Sequence, residues 1–166
     1  MRERLTDSDI AKIKEEIEYR KLVVRKKELE AVKEARAHGD LSENFEYKAA
    51  KQDKNRNESR IRYLEKLLKH AVVVSDDSRE GEVGINNTVE LYFEEEEEVQ
   101  TYRLVTSIRG NSLKGLISIE SPIGKAILGK KEGDRVEIPL GTETIHVRVR
   151  KIENTQEDEK DTLRKY

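Results

Sequence analysis

The sequence predicts an α+β protein, an antiparallel helical hairpin followed by a small domain of strands with one short helix. Three observations predict it. Residues before about 71 carry apolar side chains at helical spacing, with no proline until Pro122. Gly39 sits where the first helical run ends, and a glycine takes the left-handed conformation that closes a helix without steric cost. After Ala71 the pattern changes to the alternation of strands. The expected domains are 1–75, a coiled-coil hairpin with an acidic tip, and 76–152, the α+β domain, followed by 153–166, a polar tail without periodicity that reads as disordered.

In chain order, Thr6-Asp7-Ser8-Asp9 reads as a helix start with Thr6 at the cap and Asp9 three residues on. Ile10, Ile13, Ile17, Val24 and Ala31 then form one narrow stripe, interrupted at the alternate seam positions by Arg20 and Lys27. A helix from about Ser8 to Ala37 is roughly 45 Å long. The second helix has a seam of Tyr47, Ala50, Lys54, Asn57, Ile61, Leu64, Leu68 and Ala71, in alternating steps of three and four. This seam is polar in its middle, so the short connecting turn and the apolar base must hold the distal part. The short loop also favours pairing within one chain, hence a monomer.

Beyond Ala71, Val72 to Val74 leads out of the helix and Ser75 to Gly84 is a polar connector. Strands are expected at Thr88 to Phe93, around Tyr102 to Val105, at Leu116 to Ile119, at Val136 to Ile138 and at Ile145 to Ile152. The five glutamates Glu94 to Glu98 read as a solvated hairpin loop, because like charges repel. Ser121-Pro122 caps and opens a short helix, and Gly129 stops it.

Composition bounds the function. The chain has 166 residues, 34% hydrophobic and 41% charged, too thin in apolar content for one large core. Net charge is −2, with 19 basic against 15 acidic residues over 1–72 and 14 against 20 thereafter. The N-terminal half is therefore the one to face nucleic acid, while a strong basic grip on duplex DNA is excluded. There are no cysteines, which excludes thiol catalysis and cysteine-bound zinc. No apolar run is long enough to span a bilayer, and the expectation is a soluble cytoplasmic protein with no membrane partner. His38, His70 and His146 are scattered and match no metal or nucleophile motif.

The tip between the helices carries the chemistry. Asp40 can start the second helix, with Glu43 reaching back to complete a capping box. The same spacing projects both carboxylates from one side of the tip. Two exposed carboxylates are also a partial Mg2+ site, one that holds the ion only where a partner supplies the remaining oxygens. The spacing alone admits both readings.

The run ARAHGDLSENFEYKAA, residues 35–50, resembles the signature of the Gre transcript-cleavage factors, most closely the GreA type. SPIGKAILGKKEGD, residues 121–134, resembles that family's C-terminal motif, and the likeness covers roughly residues 5–152. The resemblance implies an FKBP-like second domain without isomerase activity, and a factor that is not itself an enzyme. It further implies that the coiled coil enters the secondary channel of core RNA polymerase and stimulates cleavage of backtracked nascent RNA near its 3′ end. Asp40 and Glu43 would be the catalytic and metal residues, sharing Mg2+ with the polymerase. Candidates for RNA contact are Arg36, Phe45, Tyr47, Lys48 and Lys51, and for docking on the polymerase Ser121, Pro122, Ile123 and Gly124. Lys51 stands where relatives often have arginine, and Phe45 where they often have a small residue. Two rival classes are a secondary-channel regulator that does not promote cleavage and a structural coiled-coil adaptor.

Overall fold

The computed structural model describes residues 2–39, 44–77, 79–110, 114–155 and 162–164. The chain divides into two compact units, Met1–Glu3 with Ser8–Ala71, and Arg4–Asp7 with Val72–Tyr166. The second unit thus begins at Val72, ahead of the expected residue 76, because strand β1 (Arg4–Leu5) pairs in parallel with β2 (Val72–Val73). Neither of these two-residue strands is long enough to show alternation in the sequence.

In the first unit the N-terminal arm is α1 (Asp7–Tyr19), a five-residue π turn (Arg20–Val24) and α2 (Arg25–Arg36). The N–H of Arg25 donates to the carbonyl of Arg20, five residues back. A π turn accommodates one extra residue in a helix, so the inward positions beyond it slip by one. Lys27, expected on the seam, is exposed, and Glu28 is half-buried in its place, followed by Ala31 and the buried Ala35. Leu22 and Val23 end up outside.

The returning arm is α3 (Phe45–His70), 26 residues and about 39 Å long. Of the expected seam, Asn57, Ile61 and Leu64 are buried, while Tyr47, Ala50, Lys54, Leu68 and Ala71 are half-buried. Arg60 and Leu67 are buried beside them, so the inward face is wider than a two-position seam. Ties between the arms run in opposite directions along the chain. The Asn44 amide donates to the Ala35 carbonyl at 2.7 Å, Arg25 forks onto Glu58 at 2.8 and 2.9 Å, and Lys21 meets Glu65 at 2.6 Å.

Midway the hairpin interior is polar and closely paired. Glu16 Oε2 accepts from Arg20 Nε at 2.8 Å and from Arg60 Nε at 2.9 Å. Asn57 Oδ1 accepts from Arg20 Nη1 at 3.1 Å, and Asn57 Nδ2 donates to the Arg20 carbonyl at 3.3 Å, where the π turn begins. Burial raises the pKa of Glu16, but the hydrogen bonds from Arg60 and Arg20 outweigh it, and the net shift is downward.

The second unit is built on a five-stranded sheet in the order β5-β4-β3-β7-β6. Its strands are β3 (Thr88–Phe93), β4 (Glu98–Val105), β5 (Leu116–Ser118), β6 (Arg135–Leu140) and β7 (Glu143–Glu153), with α4 (Pro122–Ile127) between β5 and β6. Alternation in β3 buries Val89, Leu91 and Phe93 against Leu104, Ile119, Ile127, Ile138 and Val147. The glutamate run makes the exposed turn of the β3–β4 hairpin, as expected, but two of its carboxylates are paired. Glu94 accepts from Arg135 and Arg148 at 3.0 and 3.1 Å, and Glu95 bonds the His146 ring at 2.6 Å as well as the His146 N–H. The guanidinium groups of Arg135 on β6 and Arg148 on β7 offset the repulsion that the run creates.

The start of the tail is also tied down. Asn87 Nδ2 donates to Asn154 Oδ1 at 3.2 Å, the hydroxyls of Thr88 and Thr155 lie 2.5 Å apart, and the Arg164 N–H donates to the Ile108 carbonyl at 2.5 Å. Asn154, Thr155 and Arg164 are thus hydrogen-bonded to the domain, where disorder was expected. Residues 156–161 and 165–166 lie outside the described residues.

Candidate functional site

The tip is made by the end of α2 and the start of α3. α2 closes at Ala37, whose N–H bonds back to Glu34 and Lys33, and Gly39 follows with φ of 120°, a conformation that costs a side-chain-bearing residue strain. α3 opens on Asn44, which is extended at φ −84° and ψ 96° and whose Oδ1 accepts from the Tyr47 N–H at 3.0 Å. With its Nδ2 bonded to the Ala35 carbonyl, this one side chain caps the second helix and ties it to the end of the first. The cap expected from the sequence is Asp40 with Glu43. The observed cap lies four residues later, and asparagine serves there as well as aspartate does. Asn44 directly precedes the helical run, a signal the sequence offered and the capping-box pattern obscured. Asp40 and Glu43 themselves lie outside the described residues. Among the described residues it is Asn44 that caps the first turn of α3.

The RNA-contact candidates come together in two pairs. Arg36 Nη2 donates to the Tyr47 hydroxyl at 3.3 Å, and its guanidinium lies 5.6 Å from the Tyr47 ring centre. That hydrogen bond is the leading cause of a lowered Tyr47 pKa. Lys48 Nζ lies 5.7 Å from the centre of the Phe45 ring. Phe45 is exposed, as is Lys51 one turn beyond Lys48. His38 Nδ1 faces Glu46 at 3.4 Å, both side chains being exposed. Among the described residues no group of three or more histidine, cysteine, aspartate or glutamate side chains is placed to hold a metal ion.

The C-terminal motif forms a corner whose residues divide by role. Ser121 Oγ donates to the Ser118 carbonyl at 2.7 Å and accepts from the Gly124 N–H at 3.0 Å, capping α4. A Cβ on Gly124 would stand 1.9 Å from the Ser118 carbonyl oxygen, so only glycine lets α4 approach β5 this closely. Ile123 packs against the core, and Pro122 is exposed at the first helical position. Arg4 on β1 bonds Glu120 at 2.7 Å, immediately before the corner. Ser121 and Gly124 thus build the corner, while Pro122 is the side chain it presents.

Comparison with known proteins bears on both units. The family model described as "Transcription elongation factor, N-terminal" matches residues 3–73, and that described as "Transcription elongation factor, GreA/GreB, C-term" matches residues 78–154. The chain belongs to the GreA/GreB family of transcription elongation factors. Transcription elongation factor GreA of Macrococcus caseolyticus is 43% identical over 136 residues, covering 82% of this chain and 86% of that one. GreA of Thermoanaerobacter pseudethanolicus is 46% identical over 140 residues, covering 82% and 89%. Among solved structures, GreA factor homolog 1 of Thermus thermophilus aligns at 28% identity over 92% of this chain and 99% of that one, with a TM-score of 0.44. In this Gre-family chain no described helix is long and apolar enough to cross a membrane.

Proposed function

We propose that this chain is a GreA-type elongation factor that inserts its hairpin tip into the secondary channel of core RNA polymerase and stimulates the polymerase's own cleavage of backtracked RNA near its 3′ end. The observation that supports the chemical half of this reading is that Asn44 caps α3, the duty that the sequence offered as the rival use of Asp40 and Glu43. Both are hard oxygen donors suited to Mg2+, which commonly takes one or two carboxylates and completes its shell from waters and phosphates. Two carboxylates are too few to hold the ion alone, so Asp40 and Glu43 would hold it together with the polymerase. When bound there, Mg2+ supplies activation of the attacking water and stabilisation of the leaving oxygen.

This chain's other tip residues position and neutralise. Arg36, Lys48 and Lys51 bring positive charge to RNA phosphate, and the Arg36–Tyr47 pair stiffens the base of the tip. The second unit, FKBP-like and without isomerase activity, docks on the polymerase through the Ser121 to Gly124 corner, where Pro122 is the exposed member. The factor acts as a monomer in the cytoplasm, where the polymerase is.

The test is cleavage of labelled RNA in a stalled, backtracked elongation complex. Asp40→Asn and Glu43→Gln should fold and bind polymerase as the parent does, while stimulated cleavage falls steeply. Parent-like cleavage by both variants leaves the acids without a role and makes a non-cleaving channel regulator the better reading. Failure of the parent to bind core polymerase points instead to a structural adaptor.

A further inference from the structure

Phe45 opens α3 with 79% of its surface exposed, the most open large apolar side chain among the described residues. Helix formation does not require it there, since phenylalanine is only a middling helix former, and no packing within the hairpin accounts for it. The other aromatic ring at the tip, Tyr47, is engaged by Arg36. The Phe45 ring has the Lys48 ammonium 5.7 Å from its centre and is otherwise open. An aromatic face beside a mobile cation offers the two chemistries of a nucleotide at once: a surface for a base to stack on and a charge for the adjoining phosphate. An apolar protein wall would match the ring but leave the desolvated ammonium unpaired. The exposed Lys51, one turn beyond Lys48, favours the polyanion further.

We propose that Phe45 is a stacking platform for an unpaired base of the RNA 3′ segment, with Lys48 meeting its phosphate, so that the factor's action depends on the identity of that base. This rests on the function proposed above and assigns it a specificity residue. Base–aromatic stacking is tolerant of sequence but scales with ring area. One stacked base is worth roughly 5- to 150-fold in binding, and the smaller contact of a pyrimidine forfeits part of that. A preference of roughly 3- to 10-fold for purine over pyrimidine is expected from the same stacking range.

The experiment uses backtracked elongation complexes identical except for the RNA 3′ base, A, G, C or U, with each rate divided by that of polymerase alone. The factors are the parent, Phe45→Ala, Phe45→Leu, Phe45→Trp and Lys48→Gln, each checked for parent-like helicity by circular dichroism. The expected result is a several-fold purine preference in the parent, kept in Phe45→Trp and lost in both Phe45→Ala and Phe45→Leu. Lys48→Gln should weaken all four ends alike and reduce the salt sensitivity. Loss of activity in Phe45→Ala that is equal at all four ends, and restored by Phe45→Leu, would assign the ring to a protein wall and overturn the proposal. So would a parent with no base dependence. If the parent stimulates no cleavage, the proposed function fails first. The platform is then decided in the same complexes by photocrosslinking from a thiolated 3′ base, where a crosslink within the first turn of α3 supports it and its absence rejects it.

Discussion

Arg60→Met probes whether the polar middle of the hairpin holds it together. The Arg60 side chain is only 3% exposed and donates to Glu16 at 2.9 Å, with its guanidinium 5.5 Å from the Tyr63 ring centre. Methionine keeps most of the aliphatic stem, so the loss is the charge and its bonds. Removing one partner of a buried ion pair costs about 3–5 kcal/mol where the other charge is left uncompensated. Here Glu16 is about a quarter exposed and keeps Arg20 at 2.8 Å, so the expected loss is smaller, about 2–3 kcal/mol, near that of one charge-assisted hydrogen bond and a modest cation–π contact. The pH dependence supplies a second readout. The folded pKa of Glu16 is held below its ordinary 4.5 by Arg60 and Arg20. Its contribution is therefore present above the unfolded carboxylate value and disappears as pH falls through the lower folded value. The gap between parent and Arg60→Met should narrow accordingly from pH 7 toward pH 3. The assay is urea denaturation followed by far-ultraviolet circular dichroism, which reports chiefly the helices. A loss at pH 7 under about 0.5 kcal/mol, the range of an ordinary surface substitution, would refute the reasoning. So would a loss that does not change with pH.

Two further predictions concern the second unit. Gly124→Ala should destabilise it by about 3 kcal/mol, since the new Cβ meets the Ser118 carbonyl at 1.9 Å and backbone must move. Helix propensity alone predicts a gain, so the sign of the melting-temperature shift decides between them. In the glutamate turn, the Glu95 pKa is lowered, first by the hydrogen bond from the His146 side chain. His146→Ala should raise the Glu95 midpoint toward 4.5, as read by carboxyl-carbon NMR, and an unchanged midpoint would contradict the pairing.

What the sequence determined by itself was whatever depends on neighbours a few residues apart. The helical period of Asn57, Ile61 and Leu64, the alternation of Val89, Leu91 and Phe93, and Pro122 at the start of α4 are short-range patterns, and each is found in the structure. The tip motif is a pattern of the same local kind, with Asp40 and Glu43 three residues apart in one stretch of chain. Tertiary structure decided what depends on partners far apart in sequence. Arg20 reads as a break in the first stripe until Asn57, 37 residues away, is seen bonded to its side chain and its carbonyl at the π turn. The glutamate run reads as repulsive until Arg135, Arg148 and His146 arrive from strands more than 40 residues on. The helix cap shows the boundary between the two. Asp40 and Asn44 are both good caps by residue type, and Asn44 is seen to cap α3 while its amide reaches the carbonyl of Ala35 across the tip. Packing the two arms together therefore favours Asn44 as the cap of α3.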